Sequence, residues 1–368
     1  ISAPPLFEAI AHESELRIGS FNDQGLANTA WAFATLGTPA PQLFDAIARE
    51  SEQRVGSLEA QGLANTAWAF APLGIPAPRL FDVIARESEQ RISTFEAQGL
   101  ANTAWAFATL GTPTPRLFEV IARESEQRVG SFEAQGLANT AWAFATLGVP
   151  APQLFKAIAR ESEQRIGSFN PQNLANTAWS FAIVGTGDRG ALVKAVTARA
   201  TEIGSAAFTH EGRCQLHQFC LGVELKACAP AELLAPIELR DACRQAMAGA
   251  KTPYSSKLHK DVSNEPTRMG IAHANDLYMP RLGYHAVRAA TAKYAGIVIE
   301  VDGPTHYDDE RRLRPALEMI RRHLTLAGWA VLGVPYWEWN EPKAKGQVRK
   351  RKYLAKLLAR AVSGPVHS

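Results

Sequence analysis

The sequence has 368 residues, 46% of them hydrophobic and 20% charged, which is too apolar for a disordered chain and long enough for two or three domains. No apolar run approaches the roughly 20 residues of a bilayer-crossing helix, so no membrane contact is expected. The net charge of +3 hides an asymmetry: residues 1–185 carry 12 Lys+Arg against 18 Asp+Glu (net −6), and residues 251–368 carry 20 against 11 (net +9). The basic end predicts a polyanionic partner, whereas the acidic half argues against a phosphate-gripping surface.

The chain opens in mid-repeat at Ile1 and is expected to be a piece of a longer protein, with any transit peptide and further repeats preceding it. The string LANTAW occurs five times at a strict 37-residue interval, setting Trp31, Trp68, Trp105, Trp142 and Trp179 in register. A block LF-x-x-IA-x-ES-E-x-R precedes each later copy, as in Phe44, Ile47, Glu50 and Arg54. Each unit predicts two helices. The first begins near Pro41, where a missing N–H costs nothing, and ends at Arg54, which suits the negative helix terminus. The second runs from about Gln61 to Leu73 and stops at Gly74, with Pro76 and Pro78 barring continuation. In the fifth copy Asn170 is the expected N-cap with Pro171 after it. Stacked units share one core, and the five tryptophans are expected inside it. The Asn of each LANTAW (Asn28, Asn65, Asn102, Asn139, Asn176) is expected to satisfy a loop backbone, the alternative being a ligand groove. Residues 1–185 thus read as an α-helical solenoid.

The phrase from Phe169 to Ala182, F-x-P-Q-x-LANTAW-x-FA, resembles the octotricopeptide and heptatricopeptide repeats of organellar RNA-binding proteins. The resemblance implies RNA on the concave surface, read by variable positions near the start of each second helix. Those positions are Asn22, Glu59, Glu96, Glu133 and Asn170. Three glutamates in that row depart from a phosphate-binding pattern, though they can accept hydrogen bonds from base amino groups.

Residues 186–283 break the period, with Gly185, Gly187 and Gly190 closing the array, and read as a helical connector and loop. Cys214, His217 and Cys220 fall at three-residue steps along one helix side, with Cys228 beyond. The spacing lacks the two close pairs of a standard zinc site, so a packed, thiol-bearing helix is expected.

The last region, 284–362, reads as a small α/β domain. Ile297–Ile299 is a buried-strand run that ends in the polar cluster Glu300 to His306. A helix is expected to follow with Asp308, Asp309 and Glu310 in its first turn and Leu313, Ala316, Leu317, Ile320 and Leu324 on one face. Trp329–Val334 then reads as a strand parallel to the first, and Tyr284–Ala292 as a further strand. The sequence IEVDGPTH, then Arg321-Arg322, then LAGWAVLGVPYWEW and KYL, resembles the RAP domain across a core of 297–355. The chain is similar to organellar RNA-binding RAP-domain proteins, a family related to FAST-kinase-domain proteins. The resemblance implies a restriction-endonuclease-like fold and action on mRNA or rRNA of a mitochondrion (favoured) or plastid, in processing, stability or translation.

Nuclease chemistry on such a fold would use Glu300, Asp302 and His306 to hold Mg²⁺. Between Arg281 and Ile299 there is no Asp or Glu, and the position matching a preceding-strand carboxylate falls near Ala289. The E-x-K lysine is replaced by Asp302. No cofactor is therefore expected, with Mg²⁺ reserved for a nuclease. Arg321, Arg322, Lys343, Lys345, Arg349, Lys350, Arg351 and Lys352 are the basic RNA-binding candidates, with Lys356 beside them and Trp337, Trp339 and Tyr353 as stackable rings. Three readings follow: a non-catalytic RNA-binding factor, a Mg²⁺-dependent endoribonuclease, and a scaffold whose acidic solenoid docks proteins while the basic domain touches RNA.

Overall fold

The computed structural model describes residues 4–185, 190–226, 233–249, 257–271, 273–290, 294, 296–340 and 347–363. The chain divides into two compact units, Ile1–Arg199 and Ala200–Ser368.

In the first unit every repeat is a helix pair. The first helices are α1 (Pro4–Arg17), α3 (Pro41–Arg54), α5 (Pro78–Arg91), α7 (Pro115–Gln127) and α9 (Pro152–Gln164). The second helices are α2 (Asp23–Thr35), α4 (Ala60–Phe70), α6 (Ala97–Thr109), α8 (Ala134–Leu147) and α10 (Pro171–Val184). Phenylalanine fills the core. The first-helix ring of each repeat meets the second-helix ring edge to face, as in Phe81 with Phe107 at 4.8 Å and Phe118 with Phe144 at 4.9 Å. Such pairs add about 1 kcal/mol beyond their buried area. Gly111 (φ 65°) ends α6 in the left-handed conformation, and the N–H of Thr112 returns to the Phe107 carbonyl. A side chain there would be strained, which is why each copy keeps a glycine at this point.

Successive second helices pack much more closely than successive first helices. Their facing residues are alanine and glycine: a Cβ on Gly136 would lie 3.7 Å from Ala101 Cβ on the neighbouring helix. Small residues permit that approach, so the second helices form the inner row of the array.

One polar staple repeats along the array. From α3 onward the arginine at the end of each first helix reaches back to the preceding repeat: Arg54 to the Phe21 carbonyl (2.6 Å), Arg128 to that of Phe95 (2.8 Å) and Arg165 to that of Phe132 (2.8 Å). Arg91 makes the same bond to Leu58. Each is also paired with the glutamate one turn earlier. The helix-dipole role expected from sequence is thus secondary to joining repeats.

In the second unit, α12 (His210–Glu224), α13 (Ile237–Gly249) and α14 (Lys257–Arg268) follow α11 (Gly190–Ile203), and a sheet comes after them. Its strands are β1 (His273–Met279), β2 (Tyr284–Ala290), β3 (Ile297–Asp302) and β4 (Ala330–Pro335), in the order β1-β2-β3-β4. The first two neighbour pairs are antiparallel, and β3–β4 is parallel, as the strand–helix–strand order predicts. β1 was not legible in the sequence. The helix between the parallel strands, α15 (Pro315–Leu326), begins seven residues after Asp308. The acidic first turn is therefore corrected: Asp308 closes a tight turn by accepting the N–H groups of Glu310 and Arg312, and Leu313 bridges to Tyr307. The proline and the turn chemistry outcompete the apolar periodicity as the start signal. Alternation along β3 sends Ile297, Ile299 and Val301 into one core with Val262, Trp339, Leu354 and Leu358. Val298 joins Leu221, Met279, Leu282, Tyr284 and Leu324 on the other face. The chain ends with α16 (Tyr336–Trp339) and α17 (Gln347–Ser363).

Candidate nucleic-acid interface

At the carboxyl ends of the parallel strands, Asp302 is a buried hub, 2% exposed. Its carboxylate accepts from Tyr307 OH at 3.1 Å, lies 3.3 Å from His306 Nδ1, and is paired with Arg321 from α15. Burial alone would raise its pKa; His306, Arg321 and Tyr307 outweigh this and hold it below the ordinary carboxylate range. Burial and the neighbouring Asp302 charge push Tyr307 up to about 12. Gly333 on β4 makes room: a Cβ there would lie 2.7 Å from the Arg321 guanidinium and 3.0 Å from Asp302 Oδ2. Tyr307 also packs on Trp337 (4.4 Å), and the Arg311 guanidinium lies 5.2 Å from the Trp337 ring centre. Glu300 lies two residues before Asp302 on the same strand face, half-buried. Tyr307, Gly333 and the Arg311–Trp337 contact were missed from sequence, because they meet only once β3, α15, β4 and the turn at Asp308 are packed together.

The predicted basic cluster separates into two kinds. Lys350 pairs with Asp261 of α14, and Arg351 with Glu265, whose side chain is fully buried. These two cations hold α17 against α14. Arg349, Lys352 and Arg322 are exposed; Lys343 and Lys345 lie outside the described residues. Of the stackable rings, Trp339 is a core residue whose indole N–H donates to Asp261 at 2.9 Å, and Tyr353 donates to Glu338. Trp337 keeps partial exposure.

Cys220 and Cys243 are buried and Cys214 is partly exposed. His217 donates from Nε2 to the Leu282 carbonyl at 2.6 Å. Burial pushes the Cys220 thiol up to about 12 and that of Cys243 up to about 11. Among the described residues no group of three His, Cys, Asp or Glu is gathered for a metal ion; Cys228 lies outside them.

In the solenoid, two expectations are corrected. The tryptophans are not core. They form a partly exposed ladder along the inner row, with neighbouring ring centres 6.1–6.5 Å apart from Trp31 to Trp179. Of the LANTAW asparagines, Asn28, Asn65 and Asn102 take the groove alternative: they line a groove of about 1020 Å³ with Trp31, Trp68 and Gln98. Gln, Asn and Trp stand at i, i+4 and i+7 on each second helix, one stripe per repeat. Periodicity places both the tryptophan and the phenylalanine near the core, and only packing decides that Phe enters it.

The five positions read from the resemblance are the N-caps of the second helices. Asn22 and Asn170 accept the Gly25 and Asn173 N–H groups at 2.7 and 2.8 Å. Glu59, Glu96 and Glu133 cap without a side-chain bond. Glu96 and Glu133, almost fully exposed, lie 3.7 Å from Arg128 and Arg165 of the following repeat.

The chain is thus a repeat protein: an array of helix pairs followed by a compact unit that is net basic over residues 251–368. The family model described as RNA-editing substrate-binding complex 6 protein matches residues 2–218, and the RAP domain model matches residues 299–357. The first match spans more than half of the sequence, and the chain belongs to that family, with a RAP domain toward its end. No curated protein matches it.

Proposed function

We propose that the protein is a non-catalytic RNA-binding factor of a mitochondrial RNA-editing or RNA-processing assembly, with its RNA contact in the C-terminal unit. The state of Asp302 carries this reading. A metal-dependent nuclease needs carboxylate oxygens open toward the cation, whereas Asp302 is enclosed by Arg321, His306 and Tyr307. On β2 the residue paired with Val298 is Ala289, which has no carboxylate to offer. The same arrangement suits holding a strand: Tyr307 packs on partly exposed Trp337, with Arg311 beside it, and α17 of the same unit carries the exposed basic residues Arg349 and Lys352. Stacking and phosphate neutralisation then act together without bond cleavage, on a nuclease-like fold used for binding. The family matches support the RNA-editing or RNA-processing setting, and the mitochondrion follows from the resemblance to organellar RAP-domain proteins. Among the described residues no helix is long and apolar enough to cross a membrane.

The test incubates the full chain with a labelled single-stranded RNA and Mg²⁺. Salt-sensitive binding with the RNA recovered intact is expected. Metal-dependent cleavage that disappears in Glu300→Ala would establish the nuclease instead.

A further inference from the structure

We infer that the groove along the second helices is a docking channel for an extended, lysine- or arginine-rich polypeptide segment of a partner protein. The inference rests on the solenoid alone and stands apart from the RNA reading of the C-terminal unit.

The groove repeats its contact set along the array, with Asn28, Asn65 and Asn102 in equivalent places. Asn65 and Asn102 present carboxamides with no hydrogen-bond partner among the described residues. A carboxamide carries both a donor and an acceptor, so it can bond a peptide N–H and C=O together. The tryptophan step of 6.1–6.5 Å is close to the roughly 6.6 Å rise of two residues in an extended chain. Alternate side chains of such a segment would therefore meet equivalent indole surfaces, where the stems of Lys and Arg pack and their charges are attracted by the rings.

Charge selects the occupant. The charged residues lining the groove are Glu59, Glu96 and Arg91. Arg91 is already bonded to Glu87 and to the Leu58 carbonyl; Glu96, almost fully exposed, is only loosely paired with Arg128 at 3.7 Å, and together with Glu59 it leaves the rim acidic. The repeat region as a whole carries net −6 (12 Lys+Arg against 18 Asp+Glu in residues 1–185). RNA would bring one phosphate per nucleotide to that rim, whereas a basic peptide brings the complementary sign.

The probe is a fluorescent dodecapeptide alternating Lys and Ser, titrated against the full chain by anisotropy, with an acidic Glu-Ser peptide and a labelled oligonucleotide as comparisons. The double variant Asn65→Ala/Asn102→Ala leaves net charge unchanged, so non-specific attraction survives in it. It is expected to weaken the Lys-Ser peptide at least about tenfold, as is Glu59→Gln/Glu96→Gln, whose side chains are exposed. Oligonucleotide binding is expected to stay unchanged in both. The inference is overturned if neither variant moves the peptide affinity. It is equally overturned if the asparagine variant abolishes oligonucleotide binding instead, which assigns the groove to RNA.

Discussion

The two units place their aromatic and charged residues in opposite ways. In the solenoid the largest rings stay on the surface as a ladder, and the arginines closing α3, α5, α7 and α9 are held by carbonyls and glutamates of the array. In the C-terminal unit Trp339 is buried, and acids are the held groups: buried Asp302 and Glu265 and partly exposed Asp261 each engage basic side chains. The groove of the solenoid therefore presents amide, indole and glutamate, whereas α17 of the C-terminal unit presents Arg349 and Lys352. An aromatic residue signals function here only after its neighbours are known.

The comparison can be broken most forcefully at the core rings. Phe107→Ala should cost about 4 kcal/mol, as expected of a large core ring truncated to Ala, and Trp105→Ala should cost much less. Chemical denaturation of both variants checks this, and equal losses would return the tryptophan to the core. In the C-terminal unit, Arg321→Met strands the buried Asp302 carboxylate and should cost about 3 kcal/mol; a loss well below 1 kcal/mol would show that the pair is solvated.

Acid should separate the units by a similar amount. His323 is 1% exposed, hydrogen-bonded to Tyr284 at 2.8 Å, and lowered to about 4 by burial, Arg322 and His217. Burial lowers His217 as well. An unfolded histidine titrates near 6.5, so between that value and about 4 the unfolded state binds more protons. The stabilisation from neutral His323 is complete above the unfolded value and is lost as pH falls through this window, by roughly 3 kcal/mol at its foot. Acid denaturation followed by Trp337 and Trp339 fluorescence in single-tryptophan backgrounds should show the C-terminal unit yielding first, and a His323→Phe variant should flatten the slope.

The smallest expected effect is a gain. Ser88 and Thr103 bury hydroxyls with no hydrogen-bond partner. Ser88→Ala should raise stability by up to about 1 kcal/mol, because removing an unsatisfied buried donor removes its desolvation cost. A fall in melting temperature would mean that a water serves the hydroxyl.

Repetition made the solenoid legible. A strict period, proline at helix starts and glycine at helix ends are local signals: they placed Pro41–Arg54 to the residue, and the helix expected to reach Leu73 stops at Phe70. The face of each helix was harder, because Phe107 and Trp105 are two positions apart and both lie beside an apolar stripe. In the C-terminal unit the parallel pair β3–β4 was readable from its apolar runs. β1 was not, and the start of α15 was displaced by a turn that Asp308 organises. The hub at Asp302 was half visible: Asp302, His306 and Arg321 were named, but their mutual bonds depend on Gly333 leaving space across the strand pair. The separation of Lys350 and Arg351 from Arg349 and Lys352 depends on acids some 90 residues earlier in the chain, which no local pattern reveals.

The account divides partners between the units, and one salt titration of RNA affinity on the full chain tests that division most directly. Arg349→Gln/Lys352→Gln should weaken binding and make the dependence of log affinity on log salt shallower by about 1.4, two contacts at roughly 0.7 each for a single strand. Asn65→Ala/Asn102→Ala should leave both affinity and slope as in the parent. The opposite pattern, with RNA binding lost from the groove variant and kept by the basic one, would contradict the account and place the RNA on the solenoid.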